Sequence, residues 1–407
     1  MDFEDTAEEA EFRAGARTFL EQNARRREPG SGLVYRAGNE SPEFRLRAKQ
    51  WQAKKADAGY AGITWSKEWG GRGGSAIEQV IYDQEEAKYA VPRGLFDIGL
   101  GMCIPTLCTW GTQAHRDRYA RKALRGEEVW CQLFSEPAAG SDLAAVQARA
   151  RLQDDGSWRL SGQKVWTTNA QFASFGLLLA RTDPDVPKHK GLTMFIVPMD
   201  GQGVTVRGLR QISGEAEFNE VFFDDVPLAA DAVVGGVGNG WTTALTTLMY
   251  ERVTIGLGSE GLGYSSDRFA KAIAALADAR RDPEVRKELG EIACDLTAVR
   301  FTGYRTLSAL QKGQIPGPEA GLAKVTLVAN AIKAGDLIAD VIGPDALEDG
   351  SEWAYMISFL PGLKSAGGTE EILRNTIGER VLGLPPAPRL DKGVPFSELR
   401  AKEGAPA

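Results

Sequence analysis

The residues that could do chemistry are few in kind. Only two histidines occur in 407 residues, His115 in HRDRY and His189 in KHKG, both in charged, loop-like contexts. A Ser-His-Asp triad or a histidine-based metal site is hard to build from them. Any reaction must run on carboxylates or on a bound cofactor, and no metal is expected. Two short segments stand out instead, SEPAAGSD at 135–142 and GQKVWTTN at 162–169. Small residues in the first leave backbone N–H groups free to approach an anion or a polar ring. Ser135, Ser141, Thr167 and Thr168 add hydroxyl donors. Trp166 offers a flat indole face that can stack on a ring system. Each also has an ordinary reading, because Gly and Ser are turn residues and a tryptophan is more often core than cofactor wall.

A carboxylate completes the set. In the helical stretch after Gly240, Glu251 shares a face with Ala244, Thr247, Leu248, Ile255 and Gly258. That face is small or apolar, which suits the wall of a pocket better than a solvated surface. A dry pocket of this kind moves a carboxylate towards neutrality. Arg252 lies about 100° around the same helix. It could orient the glutamate, meet the substrate or form a structural ion pair. Gly256, Gly258, Gly261 and Gly263 follow. Each weakens a helix by up to about 1 kcal/mol relative to Ala, so either a wide ligand cavity or a close neighbouring helix is expected there.

These residues need elements to position them. Residues 1–128 read as helical, with apolar residues at helical spacing in 3–20, 77–89 and 115–125 and a glycine-rich break at 70–75. The texture changes at Val129. Val146, Ala148, Ala150 and Leu152 alternate with polar residues, Asp154-Asp155-Gly156 makes a turn, and Trp158 and Leu160 resume the alternation, which predicts a hairpin. Further strands are expected at 175–180, 192–197, 204–206 and 221–223, so 129–235 reads as an antiparallel β domain. From 236 to 385 the helical period returns in long segments whose natural packing is a four-helix bundle. The tail, 386–407, is rich in proline and charge and is expected on the surface. The order α, β, α lacks βαβ alternation, which argues against a Rossmann domain. GGVGNGW at 235–241 is therefore read as a flexible lead-in to a helix. The fold class is α+β, mostly α.

Composition narrows the function. The formal net charge of −7 argues against nucleic acid as a partner. Arg25-Arg26-Arg27, the densest basic run, reads as a solvated helix face. No apolar run reaches the roughly 18 residues of a membrane span, and the acidic MDFEDTAEEAEFR predicts no signal peptide. Cys103, Cys108, Cys131 and Cys294 show no CxxC spacing, which suggests buried thiols in a cytoplasmic chain.

The two motif segments, in this order within an α–β–α chain, resemble the acyl-CoA dehydrogenase family. The resemblance runs from about residue 3 to 385. It includes ITWSKEWGG, GTQAHRDRYARKALRGE, SEPAAGSD, GQKVWTTN, FNEVFFDDVPL, WTTALTTLMYERVTIG and GGTEEILRNTIGERVLGLP. It implies an FAD held against the β domain. Gln132, Phe134, Ser135, Gly140, Ser141, Trp166, Thr168, Thr369 and Glu371 stand at positions of cofactor contacts, and Ser141 and Arg252 at positions near the substrate. It further implies an acyl-CoA substrate oxidised to the 2-enoyl thioester and an electron-transfer flavoprotein as acceptor. Assembly as a homo-oligomer, dimer or tetramer, or as a heterotetramer with a related subunit is also implied. A bound flavin accounts for redox chemistry in a chain so poor in histidine.

The chain departs from the commonest family pattern twice. Many members carry a glutamate directly before Gly-Thr near the C-terminus. Here 366–369 read AGGT, so Gly367 takes that place and neither a glutamate nor an aspartate base can act there. A smaller set, including isovaleryl-CoA and long-chain enzymes, carries the glutamate on a bundle helix before an arginine, where Glu251-Arg252 stands; Glu260 is the nearest other carboxylate. The Arg-x-x-Phe-Gly and Gln-x-x-Gly-Gly stretches that help hold a neighbouring subunit's FAD are replaced by ARRDPEVRKELG and by DVIGP at 340–344. Some bacterial members split these roles between two related subunits, and this chain could be the catalytic one. An acyl-CoA oxidase or flavin monooxygenase on the same scaffold and a non-catalytic structural subunit are the competing readings.

Overall fold

A computed structural model describes residues 5–28, 41–257, 274, 276, 281–311, 317–348, 350–389 and 391–402. The N-terminal third is helical: α1 (Ala7–Asn23), α2 (Pro42–Asp57), α3 (Ala76–Glu86), α4 (Ile104–Trp110) and α5 (Gln113–Leu124). Thr6 with Glu9 and Ser75 with Glu78 form reciprocal capping boxes that start α1 and α3. Phe12, Ala16 and Leu20 of α1 pack on Ile81 and Tyr82 of α3. A five-residue π-turn, Gly99–Cys103, leads into α4.

Eight strands form the middle: β1 (Trp130–Leu133), β2 (Arg149–Leu152), β3 (Trp158–Thr168), β4 (Phe175–Arg181), β5 (Leu192–Pro198), β6 (Val204–Leu209), β7 (Phe218–Leu228) and β8 (Val233–Val234). They make one sheet in the order β6-β7-β3-β2-β4-β5-β8, with β1 beside β4. The expected hairpin is β2–β3, and its turn carries Gly156 at φ +83°. The antiparallel expectation holds along the sheet except at β4, where β1 runs parallel and β2 joins in parallel at Arg149–Arg181. The run Leu177-Leu178-Leu179-Ala180 is buried on both faces because alternate side chains enter two cores. Leu177 and Leu179 meet Ile104 and Leu107, while Leu178 and Ala180 meet Trp158 and Phe223.

The C-terminal part is α6 (Gly240–Leu257), α7 (Pro283–Gln311), α8 (Gly321–Ile342), α9 (Glu352–Phe359), α10 (Glu370–Arg380) and α11 (Phe396–Lys402). Ile292 of α7, Leu327, Val328, Ala331 and Leu337 of α8, and Tyr355 and Met356 of α9 share its core. GGVGNGW is indeed the lead-in to α6 and no dinucleotide loop. It is built rather than loose: Gly235, Gly236 and Gly238 have positive φ, and a Cβ on Gly240 would stand 2.6 Å from the Thr193 Cα of β5. The tail is not confined to the surface. Phe396 is buried, its ring lies 3.8 Å from the Arg181 guanidinium, and its N–H donates to the Val186 carbonyl at 3.0 Å. His115 is buried inside α5, not in a loop, with Nε2 2.6 Å from the Asp231 carbonyl. Among the described residues no helix is long and apolar enough to cross a membrane, and no cluster of His, Cys, Asp and Glu could hold a metal.

Candidate active site

The two motif segments are joined by a buried ion pair. Lys164, fully buried on β3, donates to the Glu136 carboxylate at 2.8 Å and to the Phe134 carbonyl at 2.9 Å. Glu136 also accepts from the backbone N–H groups of Gln147 and Ala148 at 2.7 and 2.9 Å. Val165 N–H donates to the Ser135 carbonyl at 2.9 Å. These bonds fix SEPAAGSD against GQKVWTTN. Burial pushes the Lys164 ammonium down and the Glu136 charge opposes it. Arg181, on β4, braces the far end of the loop by donating to the carbonyls of Ala144, Val146 and Lys188 at 2.6, 3.2 and 2.9 Å. Burial holds it at about 10.

Trp166 is not a core residue. The β3–β7 register shifts between Lys164 and Thr167, and Trp166 sits at φ +58°. For a bulky residue that conformation is strained, and strain of this kind gathers at ligand sites. The bulge leaves the indole 61% exposed, edge-on to Phe218 at 6.0 Å. Thr168 beside it pairs with Phe218. Gln132 is half-buried on the neighbouring β1, whereas the Phe134 ring is buried in the core. A Cβ on Gly140 would meet nothing within 4 Å, so the loop is open there. A displayed indole, an open glycine loop and half-buried polar groups fit the flat ring and polar edge of a flavin.

The C-terminal helices close on this face. The Ser141 hydroxyl donates to the Thr369 hydroxyl at 3.4 Å, and Thr369 caps α10 by accepting from Ile372 N–H. Gly367 and Gly368 precede it at φ +67° and +90°, so a left-handed turn stands where many relatives by resemblance place a glutamate. Glu371 is exposed on the first turn of α10.

Glu251 is half-buried on α6, on the face where Thr243, Ala244 and Thr247 are fully buried. A ladder of hydroxyls holds that face to α4. Thr106 donates to Thr247 at 3.0 Å, the Trp110 indole N–H donates to Thr246 at 2.9 Å, and the hydroxyls of Thr109 and Tyr250 lie 3.2 Å apart. The charge of Glu251 reaches Cys103 in the π-turn and Lys324 on α8. Burial, with Cys131 and Glu251 adding to it, pushes the Cys103 thiol well up, so it stays protonated. Sequence reasoning missed Lys324, Lys164 and Arg181 as site-building residues. The side chains of Arg252 and Ile255, and all of Gly258, Glu260, Gly261 and Gly263, lie outside the described residues.

Three family models match in order: the N-terminal domain of acyl-CoA dehydrogenases at 6–127, the middle domain at 131–226 and the C-terminal domain at 238–382. The acyl-CoA dehydrogenase IpdE1 of Mycobacterium tuberculosis is 37% identical over 92% of this chain and 97% of its own length. The chain belongs to the acyl-CoA dehydrogenase family. It shares that family's fold, and the family consists of flavoprotein oxidoreductases of lipid β-oxidation. The acyl-CoA dehydrogenase FadE34 of M. tuberculosis is 39% identical over 84% of this chain, which spans about half (47%) of that longer protein. Among solved structures, the Tcur3481-Tcur3483 steroid acyl-CoA dehydrogenase matches with a TM-score of 0.79 at 27% identity, covering 95% of this chain and 100% of that one.

Proposed function

We propose that this chain binds FAD against Trp166 and the 135–142 loop and desaturates an acyl-CoA thioester to the 2-enoyl-CoA, with Glu251 as the base. The observation that carries the reading is the place of Glu251. It is a half-buried carboxylate on the inward face of α6, beside the π-turn, in a chain whose other family base position is a left-handed glycine, Gly367. Gln132, Ser135, Thr168 and the indole of Trp166 would hold the flavin ring, with Gly140, Ser141, Thr369 and Glu371 nearby. The bound flavin supplies the hydride acceptor. Glu251 takes the proton beside the thioester carbonyl, general-base help worth about 10²–10⁴-fold. The Ser141–Thr369 contact closes the substrate side, and Arg252 follows the base on the helix. An electron-transfer flavoprotein in the cytoplasm is the proposed acceptor. Anaerobic titration with straight, branched and polycyclic acyl-CoAs tests the reading. At least one must bleach the flavin, and a flavin that none bleaches sinks it.

A second proposal concerns assembly. The family stretch near 340 is replaced by DVIGP, which ends α8 at Gly343 with φ +66° and runs into a short 3₁₀ turn whose Leu347 is exposed. Together with the likeness to a steroid enzyme described by two components, this supports a heteromer with a related subunit acting on a bulky, polycyclic acyl group. Light-scattering mass and flavin content, measured alone and with a candidate partner, test it. A yellow homotetramer with full flavin would contradict it.

A further inference from the structure

The C-terminal tail returns to the sheet and docks beside the 135–142 loop, a contact that the reading above does not use. It runs antiparallel to the β4–β5 loop, with Pro395 paired to Pro187. The N–H groups of Phe396 and Ser397 donate to the carbonyls of Val186 and Pro184, at 3.0 and 2.9 Å. The buried Phe396 ring lies 3.8 Å from the Arg181 guanidinium, which donates to the carbonyls of Ala144, Val146 and Lys188. A second bridge runs through Lys188. Its Nζ donates to Asp142 at 2.7 Å and stands 2.5 Å from the Asp391 carboxylate of the tail, with the side chain 12% exposed. An exposed pair of this kind would be weak. Here the lysine is mostly out of water and two carboxylates share it, so each bond is charge-assisted and little screened. Both bridges end on 142–146, directly after Ser141. That segment holds a single 3₁₀ turn, Leu143–Ala145. Its backbone bonds are Ala145 N–H to the Asp142 carbonyl and Val146 N–H to the Leu143 carbonyl, at 3.0 and 3.3 Å. A turn of this type has poor hydrogen-bond geometry, so the segment depends on its outside partners.

We propose that the tail is a latch on the active site: Asp391 and Phe396 seat Lys188 and Arg181 on segment 142–146, and thereby position the loop that carries Gly140 and Ser141. This rests on the reading of that loop as a flavin contact. Lys188, Arg181, Asp391 and Phe396 are positioning residues. The Lys164–Glu136 pair fixes the start of the loop, and the latch fixes its end.

The test uses the full-length holoprotein as Phe396→Ala, Lys188→Met and Lys188→Arg. Hydrogen exchange at saturating FAD and the FAD dissociation constant are read in each. In Phe396→Ala and Lys188→Met, exchange at 142–146 should rise by about tenfold while that of α1 stays unchanged. FAD should bind about fivefold more weakly in both. Lys188→Arg, which keeps a cation between the two carboxylates, should restore both readings. Wild-type exchange at 142–146, or exchange that rises equally in α1, overturns the latch. Faster exchange with unchanged FAD affinity overturns its positioning role, and a loss in Lys188→Arg equal to that in Lys188→Met overturns the ionic bridge. If Phe396→Ala does not fold, Asp391→Asn, which removes one anion from Lys188 at nearly the same shape, takes its place. If no thioester bleaches the flavin, the functional reading fails, while exchange measured without substrate still decides the latch.

Discussion

The two halves of the site are held by different means. On the sheet side, the polar contacts are short and mostly fall on backbone atoms. Lys164 and Glu136 lock a strand to a loop within 30 residues of each other, and a strand bulge displays Trp166. On the helix side, Glu251 is placed by long-range contacts. Its helix is tied to α4 by hydroxyls 136 to 141 residues apart in sequence, and its field is shared with Lys324. The first half is a platform fixed by short buried bonds. The position of the second depends on helix packing. A change in helix packing would therefore move Glu251 while leaving the sheet side in place.

Removing the platform's lock should have the largest effect. Lys164→Met strands the Glu136 carboxylate in the interior, a loss of about 3–5 kcal/mol. That corresponds to a drop in melting temperature of roughly 4–6 °C, and the protein should purify with little flavin. Unchanged melting and full colour would show that the ion pair does not build the platform.

The next effect lies outside both halves and serves as a control. Burial pushes Glu85 up, but Arg17, Lys88 and Arg13 together hold it at about 2 in the folded chain. Its folded state is therefore favoured above the unfolded carboxylate range, and that advantage disappears as the pH falls from about 5 towards 2. Thermal melts across this range should lose roughly 5 °C more in the wild type than in Glu85→Gln. Equal losses would place the acid sensitivity in the site region instead.

The hydroxyl ladder gives the smallest change in stability. Thr247→Val should cost about 1 kcal/mol, read as about 1 °C in melting temperature. Its effect on chemistry should be larger, with kcat falling by about tenfold as the base drifts while flavin content and KM hold. Thr247→Ser should restore kcat. A variant that melts lower but turns over normally would reduce the ladder to ordinary packing.

How far the sequence reveals this molecule follows from the range of each signal. Helical periodicity shows the outer thirds, and alternation with a DDG turn shows the β2–β3 hairpin, because both are local. β1 escapes notice because WCQL lies parallel in the interior and shows no alternation; β8 has only two residues. The docked tail is illegible because PFSELR reads as polar, while the Arg181 guanidinium that takes Phe396 comes from a distant strand. Trp166 reads as core by type, and only the bulge turns it outward. Glu251 is legible from its small, apolar face and the family resemblance. Lys324 is not, because nothing in GLAKVTLVAN shows that its partners are carbonyls about 40 residues on.

The central claim is that Glu251 is the base facing a flavin held by this sheet. Stopped-flow reduction under anaerobic conditions, comparing wild type with Glu251→Gln and using one acyl-CoA that bleaches the wild type, tests it most directly. The account predicts that the variant keeps its flavin and still perturbs the flavin spectrum on binding the thioester, while the reduction rate falls by at least about 10²–10⁴-fold. A variant that is reduced at a rate near the wild type would contradict the account.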